Sequence, residues 1–80
     1  MKLSIYTPDK SLFKGDVSSV TVPGRKGLFT ILDNHAPIIS LLDPGKITVR
    51  TTDVAVEKVF DVPESGYVKV LKNSVTICIN

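Results

Sequence analysis

The sequence predicts an all-β fold, an antiparallel sandwich or barrel, and three observations carry that prediction. Apolar residues recur with the two-residue period of a strand, clusters of turn formers interrupt the chain at short intervals, and no stretch sustains the apolar stripe of an amphipathic helix.

Each element follows from its own pattern. Leu3 and Ile5 alternate with Lys2 and Ser4, and Val20 and Val22 with Ser19 and Thr21. Further on, Ile47 and Val49 alternate with Lys46, Thr48 and Arg50, and Val75, Ile77 and Ile79 with Thr76, Cys78 and Asn80. Successive side chains of an extended chain point to opposite faces, so each set puts its branched residues on one side and its polar ones on the other. That is the pattern of half-buried antiparallel sheet. Two stretches depart from it. "LFTIL" is apolar at four of five positions and reads as a strand covered on both faces, while Val17 is out of phase with Val20 and reads as the site of a bulge. "APIISLL" admits a helix, since Pro37 suits a first helical position and Ile38, Leu41 and Leu42 share a helical face. It is short and stops at Asp43-Pro44, so a strand is the preferred reading.

Turn chemistry separates the runs at Thr7-Pro8-Asp9, Lys14-Gly15-Asp16, Pro23 to Gly27, Asp33 to Pro37, Asp43-Pro44-Gly45, Thr51-Thr52-Asp53, Pro63 to Gly66 and Lys72-Asn73-Ser74. Proline presets φ, glycine supplies positive φ, and Asp, Asn and Ser bond their own backbone. With 80 residues and no linker, repeat or low-complexity segment, residues 1–80 are expected to form one domain.

Composition narrows the function classes. The net charge is +2 and the ten Lys and Arg residues are scattered rather than gathered in a run, so no nucleic-acid partner is expected. Cys78 is the single cysteine, which excludes an intrachain disulfide and fits a reducing compartment. No apolar run approaches the roughly 18 residues of a membrane-spanning helix, so no direct insertion into a bilayer is expected.

Candidate chemistry is sparse. A structural zinc takes about four thiolate or imidazole ligands, and the chain offers one cysteine and one histidine. A Cys78–His35 nucleophile pair would need a third group to orient it, and Cys78 lies on the opposite face of its run from Val75, Ile77 and Ile79. Pro23-Gly24-Arg25-Lys26-Gly27 lacks the closing Gly-Lys-Ser/Thr of a phosphate-binding loop, and reads as a connection between strands. Asp9-Lys10 resembles the modified lysine of lipoyl carrier domains but lies near the N-terminus, away from the mid-domain hairpin that carries it there. No catalytic residue, cofactor or metal is expected.

The order of the pieces is more specific. Phe13-Lys14-Gly15, Val17 to Val22, Gly24 to Gly27, Phe29 to Leu32, Asn34-His35-Ala36-Pro37, Ile38 to Leu42 and Pro44-Gly45 follow one another as in the N-terminal domain of the epsilon subunit of F-type ATP synthases, which this chain resembles over essentially its whole length. Gly66, Val68 and Val70, then Asn73 to Ile79, look like that domain's last two strands. The family usually has glycine where Thr30 stands, proline where Asp33 stands, and a second glycine where Ser65 stands.

The resemblance implies a flattened antiparallel β-sandwich of about ten short strands, with no catalysis and no cofactor of its own. It implies a rotor subunit of the central stalk, peripheral to the cytoplasmic face of the bacterial plasma membrane. Its partners would be the gamma subunit and the membrane c-ring, and its role to couple proton flow to ATP synthesis. Matching positions assign Thr7, His35, Ser40 and Ser65 to the gamma-binding side and Arg25, Lys26 and Leu28 to a loop facing the c-ring. Since the sequence stops at Ile79-Asn80, it also implies a short form without the two-helix domain of many relatives, and hence no intrinsic nucleotide binding. The competing expectation is a stand-alone small β-sandwich that binds or carries something else.

Overall fold

A computed structural model describes residues 1–52 and 56–80. Among them lie eight strands and no helix: β1 (Lys2–Tyr6), β2 (Ser11–Gly24), β3 (Gly27–Leu32), β4 (Ile38–Leu42), β5 (Gly45–Thr51), β6 (Glu57–Val62), β7 (Gly66–Leu71) and β8 (Ser74–Ile79). The all-β expectation holds, with eight strands among the described residues in place of about ten. One reason is that Lys14-Gly15-Asp16 does not turn. Gly15 pairs with Leu3 and Lys14 with Ser4, so ladder bonds to β1 hold this segment extended inside a 14-residue strand. The expected turn at Thr51-Thr52-Asp53 ends on Asp53, which lies outside the described residues.

The strands are joined in the order β1-β8-β7-β4-β2-β5-β6, with β3 on β2 and a further β1–β2 pairing. Because β2 meets β1 through its first half and β4 at Gly24, the ladder β1-β8-β7-β4-β2 returns on itself. The second half of β2 carries β3 on one edge and β5 on the other, and β6 extends β5. One strand therefore serves two layers. The register of β2 against β5 slips between Val17 and Ser19, which is the bulge the sequence calls for, and both Val17 and Val20 are buried. All ladders are antiparallel except β1 against β8, which is parallel, a pairing no sequence pattern indicated.

Every residue read as inward-facing from alternation is inward. Leu3, Ile5, Val20, Val22, Ile47, Val49, Val75, Ile77 and Ile79 are buried, joined by Val17, Ile31, Leu42, Val62, Val68 and Val70. Among the described residues no polar side chain is buried. This is a purely aliphatic core, which avoids the cost of desolvating polar groups in a small domain. At one side Phe13 of β2 meets Phe60 of β6 edge to face, with centroids 5.9 Å apart, and the Lys58 ammonium lies 5.4 Å from the Phe13 ring centre. These contacts tie the outermost strand to the first half of β2.

Short turns set the registers. Arg25-Lys26 and Lys72-Asn73 are two-residue hairpin connections, closed by the pairs Gly24–Gly27 and Leu71–Ser74. Lys72 and Asn73 have φ of 48° and 60°, the left-handed pair whose twist matches that of the flanking strands. Cross-strand side chains add to this. Thr21 and Thr30 are 2.9 Å apart at their hydroxyls, so Thr30, at a position where the family usually has glycine, gains a ladder partner. Lys46 pairs with Asp61 at 2.7 Å and Arg50 with Glu57 at 3.4 Å, each directly opposite its partner on β5 and β6. Exposed pairs of this kind contribute little individually, about 0 to 1 kcal/mol.

The β7–β8 pair yields two predictions. A methyl group on Gly66 would lie 2.5 Å from the Cys78 carbonyl oxygen. Gly66→Ala should lower the unfolding free energy by about 1 to 3 kcal/mol, read as a lower urea midpoint; an unmoved midpoint would mean the ladder has room to give. On the outer side, Tyr67 and Cys78 are directly opposite, and the Tyr67 phenol is raised above 10.0, first by its hydrogen bond with Cys78, then by the nearby thiolate charge and desolvation. The fold thus favours the protonated phenol. The resulting stabilisation is fully present below the unfolded tyrosine value of about 10 and is lost as pH rises through the higher folded value. In a Tyr6→Phe background, Cys78→Ala should bring the alkaline absorbance titration of Tyr67 down; an unchanged curve would rule out the pair as the cause.

Candidate docking surface

The residues assigned to the gamma-binding side do not converge on one spot. His35 lies in the connection from β3 to β4. Its backbone N–H donates to the Leu32 carbonyl at 3.2 Å, and its Nδ1 is 2.8 Å from the Ala36 carbonyl. One of the two ring nitrogens is thus bonded within its own turn. Asn34, at φ 62°, donates its N–H to the Asn73 side chain at 2.9 Å, and the Met1 ammonium is 2.8 Å from the Asp33 carboxylate. The Asp33 to Pro37 turn is therefore pinned against the β7–β8 hairpin.

Ser65 and Thr7 lie at the opposite end of the strands. The Asn80 backbone N–H donates to the Ser65 carbonyl and the Asn80 side-chain amide to its hydroxyl, at 3.0 and 3.1 Å. Thr7 follows Tyr6, which pairs with Cys78, and closes its own turn by accepting from the Lys10 N–H at 3.2 Å. Ser40 lies between the two ends in β4. It pairs with buried Val68, so it faces inward, and its hydroxyl donates to the Leu41 carbonyl at 3.2 Å.

The loop assigned to the c-ring is narrower than the sequence suggests. Pro23 and Gly24 still belong to β2, and the turn is Arg25 and Lys26 alone. Leu28 is not in a loop; it is the second residue of β3, paired with Pro23. The hairpin is this tight because Gly27 adopts φ 123°, which a β-carbon would disfavour, and because a β-carbon on Gly24 would strike the Phe29 ring. Arg25 is held by Asp43 at 3.2 Å, and its N–H donates to the Leu41 carbonyl at 3.1 Å. The turn thus sits at the Ser65 and Thr7 end.

Sequence reasoning missed what lies between these ends. Leu28, Ile39, Leu41, Tyr67 and Leu71 are all exposed, with Ile39 at 74% and Leu28 at 73%. One groove is lined by Leu28, Phe29, Ile39, Ser40 and Leu41, and a second by Pro37, Ile39 and Leu71. Ile39 is common to both. The expectation that "LFTIL" is covered on both faces is corrected here: Ile31 is buried, but Leu28 and Leu32 are open, because among the described residues no second layer lies over the outer side of β3. The signal was present in that broken alternation and in "IISLL", whose apolar residues fill both faces of β4. Contiguous apolar surface rimmed by polar residues marks a site of association. Among the described residues no group of three or more His, Cys, Asp or Glu side chains is placed to hold a metal, and no helix is long and apolar enough to cross a membrane.

Comparison with known proteins accords with this geometry. The family model for the beta-sandwich domain of the ATP synthase delta/epsilon chain matches residues 1–80. The chain is 42% identical over 77 residues to the ATP synthase epsilon chain of Leptospira interrogans, covering 96% of this chain and 58% of that one. It is 40% identical over 77 residues to that of Caulobacter vibrioides, covering 96% and 86%. The chain thus spans little more than half the length of the Leptospira relative. In fold it resembles a chain of the central stalk/c-ring structure of the Tetrahymena thermophila mitochondrial ATP synthase, with TM-score 0.83, 21% identity and coverage of 99% and 63%. A chain of the Euglena gracilis mitochondrial ATP synthase gives TM-score 0.87 at 20% identity, covering 96% and 48%. By sequence and by the sandwich that its strands build, the chain belongs to the family of ATP synthase delta/epsilon chain beta-sandwich domains.

Proposed function

We propose that residues 1–80 form a single non-catalytic domain of the central stalk of a proton-translocating F-type ATP synthase, joining the gamma subunit to the c-ring and coupling proton flow to ATP synthesis. In a bacterium this sets the chain peripherally at the cytoplasmic face of the plasma membrane. Ile39 is the observation that carries the reading. A branched aliphatic residue 74% exposed in mid-strand, shared by two grooves and continuous with Leu28, Leu41 and Leu71, is a surface made to be covered. The assigned positions bracket it, His35 at one end and Thr7 and Ser65 at the other. Gamma would cover this surface, and the Arg25-Lys26 turn would meet the polar surface of the ring. The close-packed aliphatic core supports a mechanical role, since such interiors yield little under load.

Mixing the chain with the cognate gamma subunit should give a co-eluting pair on size exclusion, with at least roughly 1,000 Å² buried. The double substitution Ile39→Asp, Leu41→Asp should weaken the pair by 100-fold or more, about 2.7 kcal/mol, while leaving the circular dichroism spectrum unchanged. Wild-type elution as a free monomer beside gamma would defeat the proposal. Lys26→Glu should leave gamma co-elution intact and reduce retention of the chain on the c-ring; equal retention would remove this turn from the ring contact.

A further inference from the structure

The outer face that starts at Ile39 and Leu41 runs on across β7, β8 and β1 to the first half of β2, and its chemistry changes along the way. The registers align Ile39, Lys69, Thr76, Ser4 and Lys14 in one row across the strands. The next row, toward the β7–β8 turn, holds Leu71, Ser74, Lys2 and Asp16. Lys72 sits in that turn. Two shallow grooves, one bordered by Lys2, Lys14 and Asp16 and the other by Lys69 and Lys72, meet at Ser74 and Thr76. The face is thus aliphatic at one side and hydroxyl-bearing in the middle, with lysines on both sides of the hydroxyls.

The charge on it is lopsided. Four lysines face one aspartate, a surplus of three, whereas the whole chain carries only +2. The remaining six cations and seven acids leave the rest of the molecule net negative. Among the described residues, three of the six other cations make ion pairs, Arg25 with Asp43, Lys46 with Asp61 and Arg50 with Glu57. Among the described residues none of Lys2, Lys14, Lys69 and Lys72 makes an ion pair. Lys14 and Lys69 stand three strand spacings apart, about 14 Å, with Lys2 between them in the next row. That separation exceeds the screening length of about 8 Å at physiological salt, so Lys14 and Lys69 repel each other mainly at low salt, whereas Lys2 is the diagonal neighbour of Lys14, about 7–8 Å away, and these two like charges raise the free energy of the uncovered face.

Resting on the reading above, we infer that the gamma surface docking here carries a carboxylate-rich strip beside its apolar patch, and that Lys2, Lys14 and Lys69 receive it. Charge complementarity and continuity with the Ile39 patch favour a protein over the alternatives. Nucleic acid has no use for the branched aliphatic half, and a bilayer needs protruding apolar tips where this face offers the plane of a sheet. The lysines steer the encounter and fix its register, while the aliphatic half holds the complex, as is usual for charged rims beside apolar contacts.

The test uses the full chain and the cognate gamma subunit. Binding is followed by biolayer interferometry at several salt concentrations for the wild type, for the triple variant Lys2→Glu, Lys14→Glu, Lys69→Glu, and for the corresponding triple Gln variant. The expected result is roughly tenfold weaker wild-type binding between 50 and 300 mM salt, mostly in the association rate. The Glu variant should bind at least 30-fold more weakly at low salt, with the Gln variant between them and each spectrum native by circular dichroism. Salt-independent binding that the triple variants leave unchanged overturns the inference while sparing the proposed function. Absence of wild-type binding at every salt concentration overturns both. Sedimentation with phosphatidylglycerol vesicles that the Glu variant abolishes, with gamma binding unaltered, reassigns the face to a membrane and likewise overturns it.

Discussion

Val17 and Val20 both point into the core although they stand three apart in one strand, and that is possible only because the bulge between them inserts an unpaired position. The rest of the molecule depends on this irregularity. Up to Asp16 β2 belongs to the ladder with β1; from Val17 it pairs with β5, and beyond the bulge with β3 as well. Without the extra residue one of the two valines would face solvent and the strand could not turn the corner between layers. The aliphatic core would then lack the element that joins its halves.

Closing the ladder through β2 leaves the strands with few free edges and lets a small chain bury branched residues from two sides with no polar side chain among them. The outer surface is then available for association. It is divided unevenly. The β5–β6 side carries matched, directly opposed ion pairs, and the β4–β7–β8–β1 side carries uncovered aliphatics and unpaired lysines. A domain whose interior is stiff and whose exterior is specialised on one face suits transmission of force better than chemistry.

The histidine illustrates how a conspicuous residue can have a modest structural role. His35 bonds within its own turn, and that turn is pinned by Asn73 and by the Met1–Asp33 pair. Asp33 stands where the family usually has proline, so a long-range ion pair with the Met1 ammonium stabilises a turn that elsewhere relies on a fixed φ. Thr30 tells a similar story, its hydroxyl meeting Thr21 where glycine is usual.

Local periodicity by itself determined the strands at Leu3–Ile5, Val20–Val22, Ile47–Val49 and Val75–Ile79, the bulge and the inward set of side chains, because in an extended chain the face a residue occupies is a property of its own position, while the strand reading of Ile38 to Leu42 came from the shortness of that run before Asp43-Pro44. The order of the motifs determined the family. Tertiary structure alone decided that Lys14-Gly15-Asp16 stays extended, since that depends on a ladder with β1, and that β1 runs parallel to β8, since pairing partners far apart in sequence leave no trace in either strand. It alone decided which apolar residues stay uncovered. Leu28, Ile39 and Leu41 are no different in kind from the buried Ile31 and Leu42; their exposure follows from the absence of a layer above β3 and β4, and the gathering of four scattered lysines follows from strand registers that only the folded sheet creates.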